Sequence, residues 1–377
     1  METREGLEGV VAATTRLSSV DGEAGVLLIA GFPVEELAPR ATFEEVAYLL
    51  WNGVLPSAAE LAALSRRLAA RRALPAAALG LLREAAQRRV PVMDALRMAA
   101  GTLSLVEGAG NEPREDAVTL VAAFPTIVAS YWRLLAGKEP LAPREDLGHA
   151  ASFLYLLTGE EPAAERARGL ETYLNTVIDH GFNASTFAAR VIVSTRSDLI
   201  SAVTGAVGAL KGPLHGGAPG PALDMVFEIG TADRAEAVLR QKLARGERLM
   251  GFGHRVYRVR DPRADVLAAA AARFYQTGGD AALYDLARSV EATALRLLRE
   301  HKPDRSLQTN VEFYTALLLH GLGLPTELFT PLFAVGRVAG WTAHCLEQLD
   351  HGRLIRPQSE YVGERDRRWV PLEARGC

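Results

Sequence analysis

Two histidines with glycine neighbours are the residues best suited to chemistry in this chain. His215 lies in segment 212–218 (GPLHGGA), and His254 lies in segment 251–263 (GFGHRVYRVRDPR). Glycines beside an imidazole allow a sharp turn and the close approach of a ligand, because they carry no Cβ. Histidine can donate or accept a proton near neutral pH. A single site of this kind is often an ordinary turn, whereas two of them favour a catalytic function.

Arginines are concentrated around the second histidine. Six of them lie between residues 245 and 263: Arg245, Arg248, Arg255, Arg258, Arg260 and Arg263. Guanidinium groups bind carboxylates and phosphates through paired hydrogen bonds. The cluster therefore indicates either a binding site for a multiply anionic small molecule or a solvated surface. The glycines within it do not form the GxGxxG dinucleotide fingerprint.

Four further ionisable residues have unusual surroundings in the sequence. Glu312 lies among apolar and aromatic residues, and is either a helix N-terminal carboxylate or a partly desolvated general base. His180 is either a core histidine held by Asp179 or a functional residue. Arg337 lies in an apolar helical segment and needs an anionic partner, because an unpaired charge is costly to bury. The same argument for Arg356 is weaker.

The composition is that of a globular protein. The 377 residues are 49% hydrophobic and 23% charged, and the net charge of -3 gives no overall attraction for nucleic acid. The two cysteines, Cys345 and Cys377, have no disulfide or metal-ligand spacing, which is typical of a reducing compartment. The chain starts without a signal-peptide pattern and has no uninterrupted apolar run long enough to span a bilayer. We therefore expect a cytoplasmic protein with no metal site, nucleic acid or membrane partner.

Helical periodicity dominates the chain and predicts a mainly α fold after a short N-terminal β-hairpin, with strands at 15–20 and 26–30. Thr42 is predicted to cap a helix over 43–51, and Ser197 a buried helix over 198–210. We expect a large helical domain formed by 1–215 and 311–377. A smaller domain, 216–310, is inserted into it. This division would place His215 at the junction of the two domains and His254 within the smaller one. Ligands commonly bind in the cleft between domains, so we expect the active site there.

These motifs and their order resemble the citrate synthase family over nearly the whole chain. The most specific match is segment 251–263, and segments 212–218, 180–186 and 337–341 support it. The resemblance implies condensation of acetyl-CoA with oxaloacetate and water to give citrate and CoA. The coenzyme A thioester would be a substrate, with no permanently bound cofactor, and the protein would be a homodimer. The same residues would also suit a 2-methylcitrate synthase that uses propionyl-CoA.

The resemblance further implies a role for each matched residue. His215 would hydrogen-bond the thioester oxygen of acetyl-CoA as it becomes enolic. Glu312 would take the methyl proton, and His254 would polarise the ketone of oxaloacetate. The oxaloacetate carboxylates would be held by four residues, the last of them across a dimer interface: His180, Arg263, Arg337 and Arg356. The coenzyme A site would be lined by five consecutive residues: Glu247, Arg248, Leu249, Met250 and Gly251. These roles require the carboxylate at 312 and the imidazole at 215 to face one pocket.

The chain differs from the family pattern at two places. The usual base of the family is aspartate, whereas this chain has Glu312, and one extra methylene moves a carboxylate by about 1 Å, a misplacement that can cost roughly 10²-fold in rate. This difference leaves open a weakly active or non-catalytic paralogue that binds oxaloacetate or coenzyme A. The second difference is the sequence APGP at 218–221, which leaves the acyl group open between acetyl and propionyl.

Overall fold

The computed structural model describes residues 5–7, 9–216, 220–253, 257–277 and 280–375. These residues are mainly helical and form one three-stranded antiparallel sheet near the N-terminus. The predicted mainly α fold and the predicted hairpin are therefore confirmed. His254 and Cys377 lie outside the described residues.

The sheet has the strand order β1-β2-β3, in which β1 is Ser18–Asp21, β2 is Val26–Ile29 and β3 is Phe32–Pro33. Ser18 pairs with Ile29 and Asp21 with Val26. In the turn between β1 and β2, the Asp21 carboxylate accepts the backbone N–H of Ala24 at 2.8 Å. The hairpin turn also reaches the arginine-rich segment, because the Arg258 backbone N–H donates to the Gly22 carbonyl at 2.7 Å.

The α-helices follow in chain order. The first eight are α1 Val34–Leu37, α2 Phe43–Asn52, α3 Ala58–Ala70, α4 Ala76–Gln87, α5 Val92–Gly101, α6 Pro113–Leu135, α7 His149–Thr158 and α8 Ala164–Val177. The next eight are α9 Ala184–Ser194, α10 Leu199–Leu210, α11 Gly220–Ile229, α12 Ala235–Ala244, α13 Pro262–Thr277, α14 Ala281–His301, α15 Val311–Gly321 and α16 Phe329–His351. Short 3₁₀ turns occur at Glu5–Leu7, Thr102–Leu105, Ala232–Arg234, Thr326–Leu328 and Leu372–Ala374.

Local side-chain hydrogen bonds explain where several helices begin. Thr42 and Glu45 form a complete capping box at the start of α2, as the sequence predicts. The predicted cap of α10 is wrong by one residue. Asp198 rather than Ser197 is the cap, because its carboxylate accepts the backbone N–H of Ser201 at 2.7 Å.

Helix α6 lies at the centre of the core, where it packs against α4, α5, α7 and α16. It continues through Pro125, although a proline inside a helix removes one backbone hydrogen bond and commonly kinks or ends the helix. By length and composition α6 could cross a membrane, but 78% of its most apolar window is buried inside the protein. Burial of this kind is typical of the core helix of a globular protein.

The helices that carry the chemically interesting residues pack around α8 and α16. Helix α16 packs against α8 and α9, and α13 packs against α8 and α15. Gly340 allows α16 to pass very close to the end of α8, since a Cβ there would lie 2.2 Å from the Ile178 carbonyl oxygen. The predicted division into a large and a small domain stays a prediction. Helix α13, from the predicted small domain, packs against both α8 and α15 of the predicted large one.

Candidate active site

One cavity brings together five of the residues that the sequence singles out. It has a volume of about 810 Å³, and its lining includes His180, His215, Arg263, Glu312 and Arg337. These residues come from three helices and two connections that are distant in the chain. The predicted juxtaposition of the carboxylate at 312 with the imidazole at 215 is therefore present in the structure.

His215 lies just after α10, and its imidazole is held by a serine of α9. Its Nε2 atom is 2.7 Å from the Ser185 hydroxyl oxygen and 3.3 Å from the Ser185 backbone nitrogen. The Trp341 indole N–H donates to the same hydroxyl at 3.0 Å. A backbone N–H can only donate, so Nε2 accepts and the ring proton of a neutral His215 is on Nδ1.

Burial keeps His215 neutral. Desolvation lowers the pKa of His215 to about 4, and the positive charge of Arg337 adds to this effect. At pH 7 the ring is therefore an uncharged imidazole with one N–H to donate. Gly216 permits the tight turn at this point, because a Cβ there would lie 2.2 Å from the Leu210 carbonyl oxygen.

Glu312 is the second residue of α15, which the Asn310 side chain caps. The Asn310 carboxamide oxygen accepts the Glu312 backbone N–H at 2.9 Å, and its NH₂ group donates to the Gly253 carbonyl at 2.9 Å. The Asn310 backbone N–H also donates to the Gly251 carbonyl at 3.0 Å. The start of α15 is thus fastened to the glycine-rich segment by two hydrogen bonds from Asn310, whose side chain also caps the helix.

Burial raises the pKa of Glu312 to about 7, although the nearby charge of Arg263 acts in the opposite direction. The two alternatives for this residue are both partly correct, since Glu312 lies in the first turn of a helix and is also desolvated. A carboxylate with a pKa near the working pH has the property that general-base catalysis requires.

The two cavity arginines differ in their partners. Arg263 makes a two-point ion pair with Asp261, with distances of 3.1 Å from Nε and 2.8 Å from Nη2. Arg337 is 1% exposed, and its Nε donates to the Val177 carbonyl at 2.6 Å. Within the described part of the chain, no carboxylate lies within ion-pair distance of Arg337. Burial lowers the pKa of Arg337 to about 10, so it stays charged at neutral pH.

His180 does not bond to Asp179, so the expectation of a core histidine held by that carboxylate is wrong. The His180 Nε2 atom is 3.1 Å from the Tyr257 hydroxyl, and the two rings meet edge to face. The Asp179 carboxylate instead bonds the Ser18 hydroxyl and the His344 imidazole. Sequence reasoning missed Tyr257, Ser185 and Asp261 as partners of site residues, although each lies in a motif that it singled out.

The predicted coenzyme A segment, 247–251, and Arg356 lie away from the lining of this cavity. Glu247 is ion-paired with Arg245 at 2.8 Å, Arg248 is exposed and Leu249 is buried. Gly251 contacts the start of α15 through its carbonyl group. Arg356 is exposed and lines a separate cavity of about 510 Å³, which shares the Phe187 wall with the first. His254 lies outside the described residues.

Comparison with known proteins decides the family. Residues 6–358 match the family model of the citrate synthase C-terminal domain. The chain belongs to the citrate synthase family. It is 42% identical to the citrate synthase of Haloferax volcanii, with 99% of each chain covered. It is also 40% identical to a 2-methylcitrate synthase of Mycobacterium tuberculosis, with 97% of this chain and 92% of that protein covered.

A solved structure of the family supports the same assignment. The ternary complex of Thermoplasma acidophilum citrate synthase with carboxymethyl coenzyme A and oxaloacetate has a TM-score of 0.89 to this chain. The two chains are 31% identical, and the match covers 99% of this chain and 100% of the Thermoplasma chain. The protein is therefore an enzyme, an acyltransferase of the citrate synthase type, in a family that acts on coenzyme A thioesters.

Proposed function

We propose that this enzyme condenses acetyl-CoA with oxaloacetate and water to give citrate and CoA. The observation that carries the proposal is the pairing of His215 and Glu312 on one cavity, the first kept neutral and the second given a pKa of about 7. A thioester methyl group is a weak acid, so a carboxylate base needs help from a hydrogen-bond donor at the thioester oxygen. The full-length similarity to citrate synthases supports this choice of substrates.

The first step follows from the two side chains. Glu312 takes a proton from the acetyl methyl group, the C–H electron pair forms the enolate, and Nδ1–H of His215 hydrogen-bonds the thioester oxygen. A preorganised donor of this kind stabilises the transition state by roughly 3 kcal/mol. Because Ser185 fixes Nε2 as the acceptor, the N–H is already on the correct nitrogen before the substrate binds.

The second substrate would be placed by two arginines and two histidines. Arg263, Arg337 and His180 would hold the oxaloacetate carboxylates, and His254 would polarise the ketone that the enolate carbon attacks. The new C–C bond gives a citryl thioester, which water hydrolyses to citrate and CoA. Among the described residues the buried Arg337 guanidinium has a hydrogen bond to the Val177 carbonyl but no ion-paired carboxylate, which supports this assignment, since a bound carboxylate would supply the counter-charge.

Several wider features belong to the same proposal. Residues 247–251 would line the coenzyme A site, and the thioester is itself a substrate, so no permanently bound cofactor is required. We infer a cytoplasmic homodimer in which Arg356 reaches the partner's active site. We also infer a small domain, 216–310, that closes over the substrates. Closure of this kind excludes water from the reaction.

The decisive assay is the release of free thiol from acetyl-CoA by the purified enzyme, with and without oxaloacetate. Release that requires oxaloacetate is the expected result, and the His254→Ala variant is the control. Release no greater than that of the variant would contradict the proposal. Stabilisation of the protein by oxaloacetate without any thiol release would instead identify a binding paralogue.

The 40% identity to a 2-methylcitrate synthase makes propionyl-CoA the specific alternative substrate. The two functions differ by one methylene, which is worth about 1–3 kcal/mol in a pocket. We expect kcat/KM for acetyl-CoA to exceed that for propionyl-CoA. The reverse order would assign the enzyme as a 2-methylcitrate synthase.

A further inference from the structure

His180 is presented to the cavity by a short connection that has little regular structure of its own. This connection, residues 179–183, joins the end of α8 to the start of α9. Its shape is therefore set by contacts with other parts of the chain. Three of its residues, His180, Phe182 and Asn183, line the cavity, while Asp179 is fully buried.

Asp179 is held by two donors from distant segments. Its carboxylate accepts the Ser18 hydroxyl at 2.5 Å and lies 3.2 Å from the His344 Nε2 atom through each oxygen. The Ser18 oxygen in turn accepts the Gly181 backbone N–H at 2.8 Å. The strand β1 and the helix α16 thus hold the connection on both sides of His180.

The arrangement continues through His344 into a buried polar chain, formed by Asp179, His344, Arg190 and Glu347. The His344 Nδ1 atom is 3.1 Å from Nη1 of Arg190, and the same Nη1 donates to the Glu347 carboxylate at 2.7 Å. His344 is fully buried and Arg190 is 2% exposed. The Arg190 guanidinium also stacks over the Phe182 ring at 4.6 Å, and His344 meets that ring edge-on.

The donor and acceptor roles in this chain follow from its arginine. A guanidinium has only donors, so His344 Nδ1 must accept, and the imidazole is neutral with its proton on Nε2. That proton is directed at the Asp179 carboxylate. His344 also lies on the same face of α16 as Gly340 and Arg337, which precede it by four and seven residues. One face of α16 therefore carries Arg337, a candidate substrate-binding residue, and also His344, which holds the connection that carries His180, a second candidate.

We propose that His344 is a positioning residue for His180, because its neutral imidazole joins Asp179 to Arg190 and so fixes the connection 179–183. The inference rests on the proposed function, in which His180 holds an oxaloacetate carboxylate. It assigns a function to a buried polar chain that the condensation chemistry itself does not use.

The test compares three variants with the native enzyme by calorimetric titration with oxaloacetate. His344→Leu removes both hydrogen bonds of the ring. Each of these bonds is made to a charged group, so we expect about a 10- to 100-fold loss of oxaloacetate affinity. His344→Gln keeps an acceptor for Arg190 and a donor for Asp179, so we expect its affinity to stay within about threefold of native.

His149→Leu is the matched control. His149 is 1% exposed like His344, but both of its ring nitrogens lack a hydrogen-bond partner in the described structure, and it stacks on Phe43. We expect native oxaloacetate affinity in this variant. An equal loss of affinity in His344→Leu and His149→Leu would mean that any buried histidine matters in the same way, and would overturn the inference.

Nitrogen-detected NMR of the histidine rings gives a second readout that does not depend on substrate. In the native enzyme the His344 ring should show the neutral form with the proton on Nε2. The His180 signals should move in His344→Leu and stay in place in His149→Leu. A doubly protonated His344, or a proton on Nδ1, would overturn the inference even if His344→Leu fails to fold. Absence of oxaloacetate binding to the native enzyme would contradict the proposed function instead.

Discussion

Two walls of the same cavity hold their key residues in different ways. On the His215 wall, the imidazole is fixed by side chains, because Ser185 bonds its Nε2 atom and Trp341 bonds Ser185. On the Glu312 wall, the carboxylate is placed by the backbone, because Asn310 fastens the start of α15 to Gly251 and Gly253. An imidazole needs a defined tautomer, whereas a carboxylate base needs only a defined position.

The same physical cause acts in opposite directions on the two walls. Burial disfavours the charged form of any group, so it lowers the pKa of His215 to about 4 and raises that of Glu312 to about 7. The result is a neutral donor facing a base that can still take a proton at neutral pH. Desolvation thus tunes the donor and the base together.

The largest expected effect is on the carboxylate itself. Glu312→Gln keeps the size of the side chain but cannot take a proton, so kcat for thiol release should fall by about 10²- to 10⁴-fold. The KM for oxaloacetate should change little, because Glu312 does not bind that substrate in the proposed mechanism. Glu327→Gln, at an exposed carboxylate in the turn before α16, is the control. A kcat within tenfold of native would exclude Glu312 as the base.

A backbone substitution should damage the Glu312 wall almost as much. Gly251 has a φ of +86°, and a Cβ there would lie 2.9 Å from the Phe313 Cβ, next to Glu312. We expect Gly251→Ala to lower kcat by about 10²-fold, because displacement of a catalytic group by about 1 Å has that cost.

Gly246→Ala is the control for Gly251→Ala, because it should strain the backbone without displacing Glu312. Gly246 has a similar φ of +73°, but apart from its chain neighbours no atom of the described residues lies within 4 Å of its Cβ position. We expect Gly246→Ala to lower the midpoint of thermal unfolding as Gly251→Ala does, but to keep a nearly native kcat. Equal activities for the two variants would contradict the backbone placement of Glu312.

The His215 wall should respond less strongly. Ser185→Ala removes the hydroxyl 2.7 Å from His215 Nε2 and leaves the Trp341 N–H without its acceptor. The Ser185 backbone N–H still bonds Nε2, so kcat should fall by only about tenfold, equivalent to one hydrogen bond. Ser152→Ala, at a buried hydroxyl without a partner in the described residues, is the control and should stay native. A Ser185→Ala enzyme with unchanged kcat would refute the role of the hydroxyl.

The smallest expected effect is on the pH dependence of the free energy of unfolding, to which Glu312 and His215 contribute with opposite signs. Glu312 keeps its proton in the folded state between pH 4.5 and 7, so its contribution falls as pH rises through that range. His215 loses its proton on folding between pH 4 and 6.5, so its contribution rises with pH. From pH 4.5 to 6.5 the two contributions cancel in the native protein.

Glu312→Gln removes the contribution of Glu312 to this pH dependence and leaves that of His215. The free energy of unfolding from urea titrations should then rise with pH between 5 and 6 by about 1 kcal/mol more per pH unit than in the native protein. Parallel slopes for the two proteins would show that Glu312 does not retain its proton over this range.

Local signals in the sequence predicted much of the fold and of the site. The hairpin, the Thr42 cap and the helix starting at Val311 could be read from turn residues, capping residues and periodicity. His215, Glu312 and Arg337 could be identified because each is an ionisable residue whose sequence neighbours are glycines or apolar residues. The cap of α10 was missed by one residue, because Ser197 and Asp198 are both good caps and only the bond to Ser201 distinguishes them.

The sequence by itself determined which chemical groups the enzyme carries and the family to which it belongs. Only the tertiary structure decided their protonation and orientation. Ser185 is 30 residues from His215, and His344 is 165 residues from Asp179. Hydrogen-bond partners and desolvation depend on which distant segments pack together, and no local pattern records that packing. The identity of a side chain is local, whereas its pKa and tautomer are properties of the folded chain.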